Sequence, residues 1–163
     1  QIGLSKDRMA PKWLVEGGAK VLEEMFVQQY YGKSSLEGDL NRKSPTLWSD
    51  DVFKNAHLYE KYETSSKETS TGWMDMNYAG SAFMMLALTN ELQKEGITEN
   101  KAFELVFRDF WIEQSKQTNW KAAFQKTFKI SVNDFYARLS EYKRSDVRKL
   151  LPSRSLTIQK IFN

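Results

Sequence analysis

The sequence has no cysteine and a single histidine, His57. The first absence excludes disulfides and thiolate-bound metals, and it fits either redox compartment. The second excludes any site built from these residues that needs two imidazoles. No apolar run approaches the roughly 18 residues of a membrane span, the longest being the ten residues from 79 to 88. Residues 1–10 lack the apolar stretch of a secretory leader, and the chain opens on Gln1 and not Met, which fits removal of an upstream leader or domain. Gly-rich phosphate loops, nucleophile elbows, internal repeats and alternating strand patterns bounded by hairpin turns are all missing.

What is present points to one domain. At 163 residues the chain can bury a sizeable core. Its 40% hydrophobic and 28% charged residues are ordinary for a globular protein, and 13% aromatic content suits a well-filled interior. The net charge of +3 is unevenly spread: residues 114–163 hold 11 Lys+Arg against 3 Asp+Glu, and the rest carries 13 against 18. A basic half can serve nucleic acid or an anionic surface, but Lys121, Lys126 and Lys129 are scattered among core-type aromatics. Nucleic acid is therefore not the expected partner, and a solvated basic face is.

Nearly every periodic stretch is helical, so the expected fold is all-α, a single multi-helix domain. Spacing predicts a first helix over about 11–31, with Trp13, Leu14, Val21, Leu22, Met25 and Phe26 as one apolar stripe ending at Gly32. Residues 33–51 read as a loop with one short helical turn, and 52–63 as a helix presenting Val52, Phe53, Ala56, Tyr59 and Tyr62. The polar stretch 63–72 reads as an exposed loop. The segment from Asn77 to Gly96 is apolar around most of its circumference, as expected of a central helix, with Gly96 just past its end. Thr98, Asn119 (or Thr118) and Ser131 are candidate N-caps of three further helices, the last running to about Tyr142. These boundaries give an extension at 1–10, a helical domain at 11–150 and an irregular tail at 151–163.

The first helix poses a problem. Pro11 suits a first helical turn, yet Gly17 and Gly18 stand together inside it, each costing about 1 kcal/mol against Ala. Glu16 comes directly before them. Glu16 and Lys20, four apart, can form an ion pair worth a few tenths of a kcal/mol, which accounts for the carboxylate but not for the glycines. His57 and Glu60, three apart, could share a metal but make a poor site, and a surface pair is the simpler reading.

The stretch "PKWLVEGGAKVLEE" resembles the second motif of the gluzincin, peptidase MA-like, zinc metallopeptidases, P-x-W-L-x-E-G-x-A. Pro11, Trp13, Leu14, Glu16, Gly17 and Ala19 match it position by position, and Gly18 falls on a variable place. The resemblance implies that Glu16 holds the place of the third zinc ligand, with small residues after it so that two helices can approach. "NYAGSAFMMLAL" is similar to the family segment in which a Tyr opens a buried helix, giving Tyr78 the place of an oxyanion donor. "NWKAAFQKTFKISVNDFYARLSEY" is similar to the C-terminal closing region of the same family. In a complete member the cofactor is zinc, the substrate is a peptide or protein, and the location is often extracytoplasmic.

One departure governs activity. A gluzincin needs H-E-x-x-H on the preceding helix, two zinc-binding His and a Glu that activates water, and "QIGLSKDRMA" before Pro11 holds neither residue type. A catalytic zinc takes three protein ligands, so this chain by itself is expected to bind no cofactor and hydrolyse nothing. Two readings stay open: the C-terminal helical part of a zinc metallopeptidase-like protein, or a non-catalytic helical module that binds a protein or peptide. The first predicts Glu16 and Tyr78 on one groove, with the Gly17-Gly18 surface an uncovered apolar trough open to a second copy of the chain or to the N-terminal residues folding back.

Overall fold

Burial, more than local propensity, decides where this chain is helical. The computed structural model describes residues 9–49, 51–60 and 76–163, and among them there are nine α-helices and no strand. Helix α1 spans Lys12–Tyr31 and ends, as its spacing predicts, at Gly32 in the left-handed region with φ 72°. Helix α2 is Leu36–Ser49. A 3-10 turn, Ala56–Glu60, and a π-helical turn, Met76–Gly80, lead into the central helix α3, Ser81–Lys94. Then come α4, Glu99–Glu104, a π segment, Leu105–Asp109, and α5, Phe110–Gln114. Helices α6, Trp120–Phe128, and α7, Val132–Leu139, are followed by α8, Val147–Leu150, and α9, Ile158–Phe162. No helix among the described residues is long and apolar enough to cross a membrane.

Helix α3 is the axis of the core. Every residue from Ser81 to Thr89 is buried, as an all-round apolar helix requires. Helix α1 packs along it, with α4, α7 and α8 against other parts of its surface. Two aromatic clusters fill the remaining space. Trp13, Phe124 and Phe135 meet at one side, with Trp13 and Phe135 centroids 5.7 Å apart and the Phe110 ring stacked on Phe128 at 5.6 Å. Trp48, Phe53, Phe83 and Tyr142 form the other, with Phe53 and Phe83 at 4.8 Å.

The caps behave as the sequence suggests. Thr98, Asn119 and Ser131 each accept a backbone N–H from the turn they open, and Gly96 has φ 89°. Other boundaries differ for physical reasons. Residues 36–49 form a full helix where Gly38 and Pro45 suggest a loop. Pro45 costs a helix interior about 3 kcal/mol, but burying Leu36, Leu40 and Leu47 returns about 1.5–3 kcal/mol each. The segment after it buries Val52, Phe53 and Ala56 but is helical only as the 3-10 turn, not as a helix over 52–63; Tyr62 and the loop 63–72 lie outside the described residues. The C-terminal stretch 151–163 is not an irregular tail, because Leu156 and Ile161 belong to the core and α9 forms within it. Two buried residues among so many polar ones give too short a pattern to read from spacing.

Candidate functional site

Glu16 sits on α1, so the site begins with what holds α1 in register. Pro11 caps the helix, and its carbonyl accepts from the N–H groups of Leu14 and Val15. Trp13 is the anchor. Its ring is buried, and its indole N–H donates to the Tyr136 hydroxyl at 3.0 Å, which in turn donates to Glu60 Oε1 at 3.0 Å. Lys121 pairs with the other Glu60 oxygen at 3.0 Å. Burial, then the Glu60 charge, pushes the Tyr136 phenol well above its ordinary range, so it stays a neutral donor. Glu60 therefore serves α1 and α7 across the fold and not His57, which is exposed on the same 3-10 turn.

The glycine pair has two different explanations. A Cβ on Gly17 would lie 2.3 Å from the Ser81 carbonyl oxygen and 2.5 Å from its carbon, so α3 passes over this point at backbone distance. Only glycine permits that approach. At Gly18 the nearest atom would be Met85 Cε at 3.6 Å, ordinary contact that alanine could also make. The expectation of an uncovered glycine trough is thereby corrected: both glycines are buried, under α3 of the same chain and not under a missing helix.

Glu16 itself is half-buried, and it has no hydrogen bond or ion pair among the described residues. The expected Glu16–Lys20 pair does not form. Lys20 Nζ turns one helical turn the other way, to Glu24 Oε1 at 2.7 Å and Asp39 Oδ2 at 3.5 Å. Glu24 attracts it because Ser34 and Ser35 already hold that carboxylate: the Ser34 hydroxyl at 2.8 Å, the Ser35 N–H at 2.7 Å and the Ser35 hydroxyl at 2.8 Å all donate to it. Burial alone would raise the Glu24 carboxyl, but the bonds from Lys20, Ser34 and Ser35 outweigh it and bring it down to about 2. Sequence spacing gave no sign of this knot, since its serines read simply as loop.

Tyr78 lies in the π-helical turn, which packs along α1 and α2. The side chain is 62% exposed, and no hydrogen bond of its hydroxyl is recorded among the described residues. Both candidate residues thus belong to the same packed pair of elements, α1 and the entry to α3, and neither is tied into the structure. The outward side of α1 also departs from the expected stripe. Val15 and Phe26 are 39% and 46% exposed, with Ala19 exposed between them and Leu22 half-buried. Phe26 was expected in the core, and it faces away from it.

As they stand, these residues do not fit zinc. Glu16 offers one carboxylate, and no three His, Cys, Asp or Glu converge among the described residues. Neither a protein-family model, nor a curated protein, nor a solved structure matches this chain.

Proposed function

We propose that this chain is the helical part of a gluzincin-type zinc metallopeptidase-like protein, incomplete by itself, in which Glu16 is the third ligand of a metal whose two His come from polypeptide outside these 163 residues. One observation carries the reading: a half-buried carboxylate with no recorded partner, beside an uncovered apolar helix face, directly before a glycine that packing makes obligatory. That agrees with the P-x-W-L-x-E-G-x-A resemblance in its finer detail. The fixed glycine of the pattern falls on Gly17, where no Cβ fits, and the variable place falls on Gly18, where one does. The helix received by Gly17 is α3, however, so the pattern's close approach serves a different neighbour here. Tyr78, exposed on the adjoining turn, is the proposed oxyanion donor of the complete site, with a peptide or protein as substrate.

A second reading, a non-catalytic module that binds a protein or peptide, draws on the same uncovered face of α1. The two separate on the coding sequence and on metal content. The first expects H-E-x-x-H in frame roughly 20 residues before Glu16. It also expects one zinc per chain in the polypeptide carrying both segments, lost in Glu16→Ala with helical content unchanged. A native start or processing site at Gln1, or zinc retained in Glu16→Ala, overturns it. The 163-residue chain alone is expected to hold no stoichiometric zinc.

A further inference from the structure

We infer that the outward face of α1 is a docking seam for one amphipathic helix with a basic flank. Val15, Ala19, Leu22 and Phe26 follow one another at intervals of four, three and four, the alternation of a two-heptad seam. Val15, Ala19 and Phe26 are exposed along this row, while Leu22 is half-buried and leans on the core, so the seam is open at both ends and shallow at its middle. The Phe26 ring leans on Tyr30, centroids 4.5 Å apart, which fixes the far end of the row. Lys12, three residues before Val15, closes the near end with a charge.

Charge decides what kind of helix fits. Glu16 and Glu23 are seven apart, so they occupy the same flanking position in successive heptads. Neither has an ion pair among the described residues, and Lys20, the base between them, is committed to Glu24 and Asp39. The seam therefore has an edge with two carboxylates in no close ion pair, which Lys20 offsets only in part through its longer-range attraction to Glu23. A two-fold related copy packed antiparallel on this seam would bring the Glu16 and Glu23 side chains of both chains together, a like-charge contact. A parallel copy would set them against the buried Gly18 and Met25 positions, so neither arrangement pairs these carboxylates. A helix with Lys or Arg facing Glu23 gains from the same edge.

The inference rests on the proposed function only for the presence of a covering helix on this face. Its test is metal-free, so the two can fail separately. Two labelled peptides of about three heptads with Leu at both seam positions, one flanked by Lys and one by Glu, are titrated with the 163-residue chain in EDTA at low salt. The Lys-flanked peptide is expected to bind about tenfold or more tightly than the Glu-flanked one, and less tightly as salt rises. Glu23→Lys should reverse that preference, and Phe26→Ser, an exposed change that leaves the core intact, should weaken both. Equal binding of the two peptides, no binding of either, or a concentration-dependent dimer that Phe26→Ser dissolves would overturn the inference. Preferential binding of the Lys-flanked peptide in EDTA, together with no zinc in the longer polypeptide that carries both segments, would support the seam and remove the metal reading.

Discussion

Replacing Gly17 and Gly18 one at a time by alanine separates helix propensity from packing within two adjacent residues. Both changes gain about 1 kcal/mol of propensity, since both positions are interior to α1. At Gly18 nothing opposes the gain, the nearest atom to the new methyl being the flexible end of Met85 at 3.6 Å. At Gly17 the methyl would meet the Ser81 carbonyl at 2.3 Å, and that carbonyl belongs to the fully buried start of α3. Ordinary contact needs at least 3.4 Å, so α1 and α3 would have to part by about 1 Å, and overpacking of that order costs about 1–3 kcal/mol or more. The separation also loosens the aromatic contacts of Trp13, so the upper part of that range applies. Gly18→Ala is expected to stabilise by up to about 1 kcal/mol, and Gly17→Ala to destabilise by a net of about 2 kcal/mol. Urea unfolding followed by far-UV circular dichroism, with the denaturant slope held common, reads the difference directly. Two variants of equal stability, or Gly17→Ala the more stable, would refute the close approach of α1 and α3.

Phe83→Ala removes a ring that contacts Trp48, Phe53 and Tyr142, and should cost about 3–5 kcal/mol by thermal or urea unfolding. A loss under 1 kcal/mol would mean α3 is not the axis of the core. Glu24 gives a pH signature. Its carboxyl is held at about 2 in the folded chain against an ordinary 4.5, so the stabilisation is fully present above pH 4.5 and is lost as pH falls from 4.5 towards 2. The shift corresponds to as much as about 3 kcal/mol. Wild type should therefore exceed Glu24→Gln in stability at pH 6, with the gap closing by pH 2.5; a gap independent of pH would show that Lys20, Ser34 and Ser35 do not hold an ionised carboxylate.

The all-α fold and its central helix were legible because α3 is apolar over nearly three turns, a pattern that only burial explains. Caps at Thr98, Asn119 and Ser131 were legible because they use local chemistry. What escaped was contextual. Pro45 reads as a helix stop, and only the leucines around it, once packed, reverse that reading. Lys20 is four residues from both Glu16 and Glu24, and spacing cannot choose between them; the choice is made by Ser34 and Ser35 arriving from the next connection. Glu16 as a candidate came from a motif. The structure adds its lack of a recorded partner, and its place beside an apolar row that the spacing of α1 had assigned partly to the core.

The polar ties of α9 bear on the order in which the fold can form. Gln29 Oε1 accepts from the Ile158 N–H at 3.2 Å, its amide donates to Gln159 at 2.8 Å, and Arg108 Nη1 donates to the Ile161 carbonyl at 3.1 Å. The contacts between α1 and α9 span 129 or 130 residues of chain. Pairings of such long range pay their loop-closure entropy late. During synthesis α1 is made before α9, and these ties can close only after more than a hundred further residues have been translated. Until residues 81–94 are made, the glycine side of α1 lacks the helix that covers it. Over that stretch of translation the buried face of α1 is open to contacts with other chains.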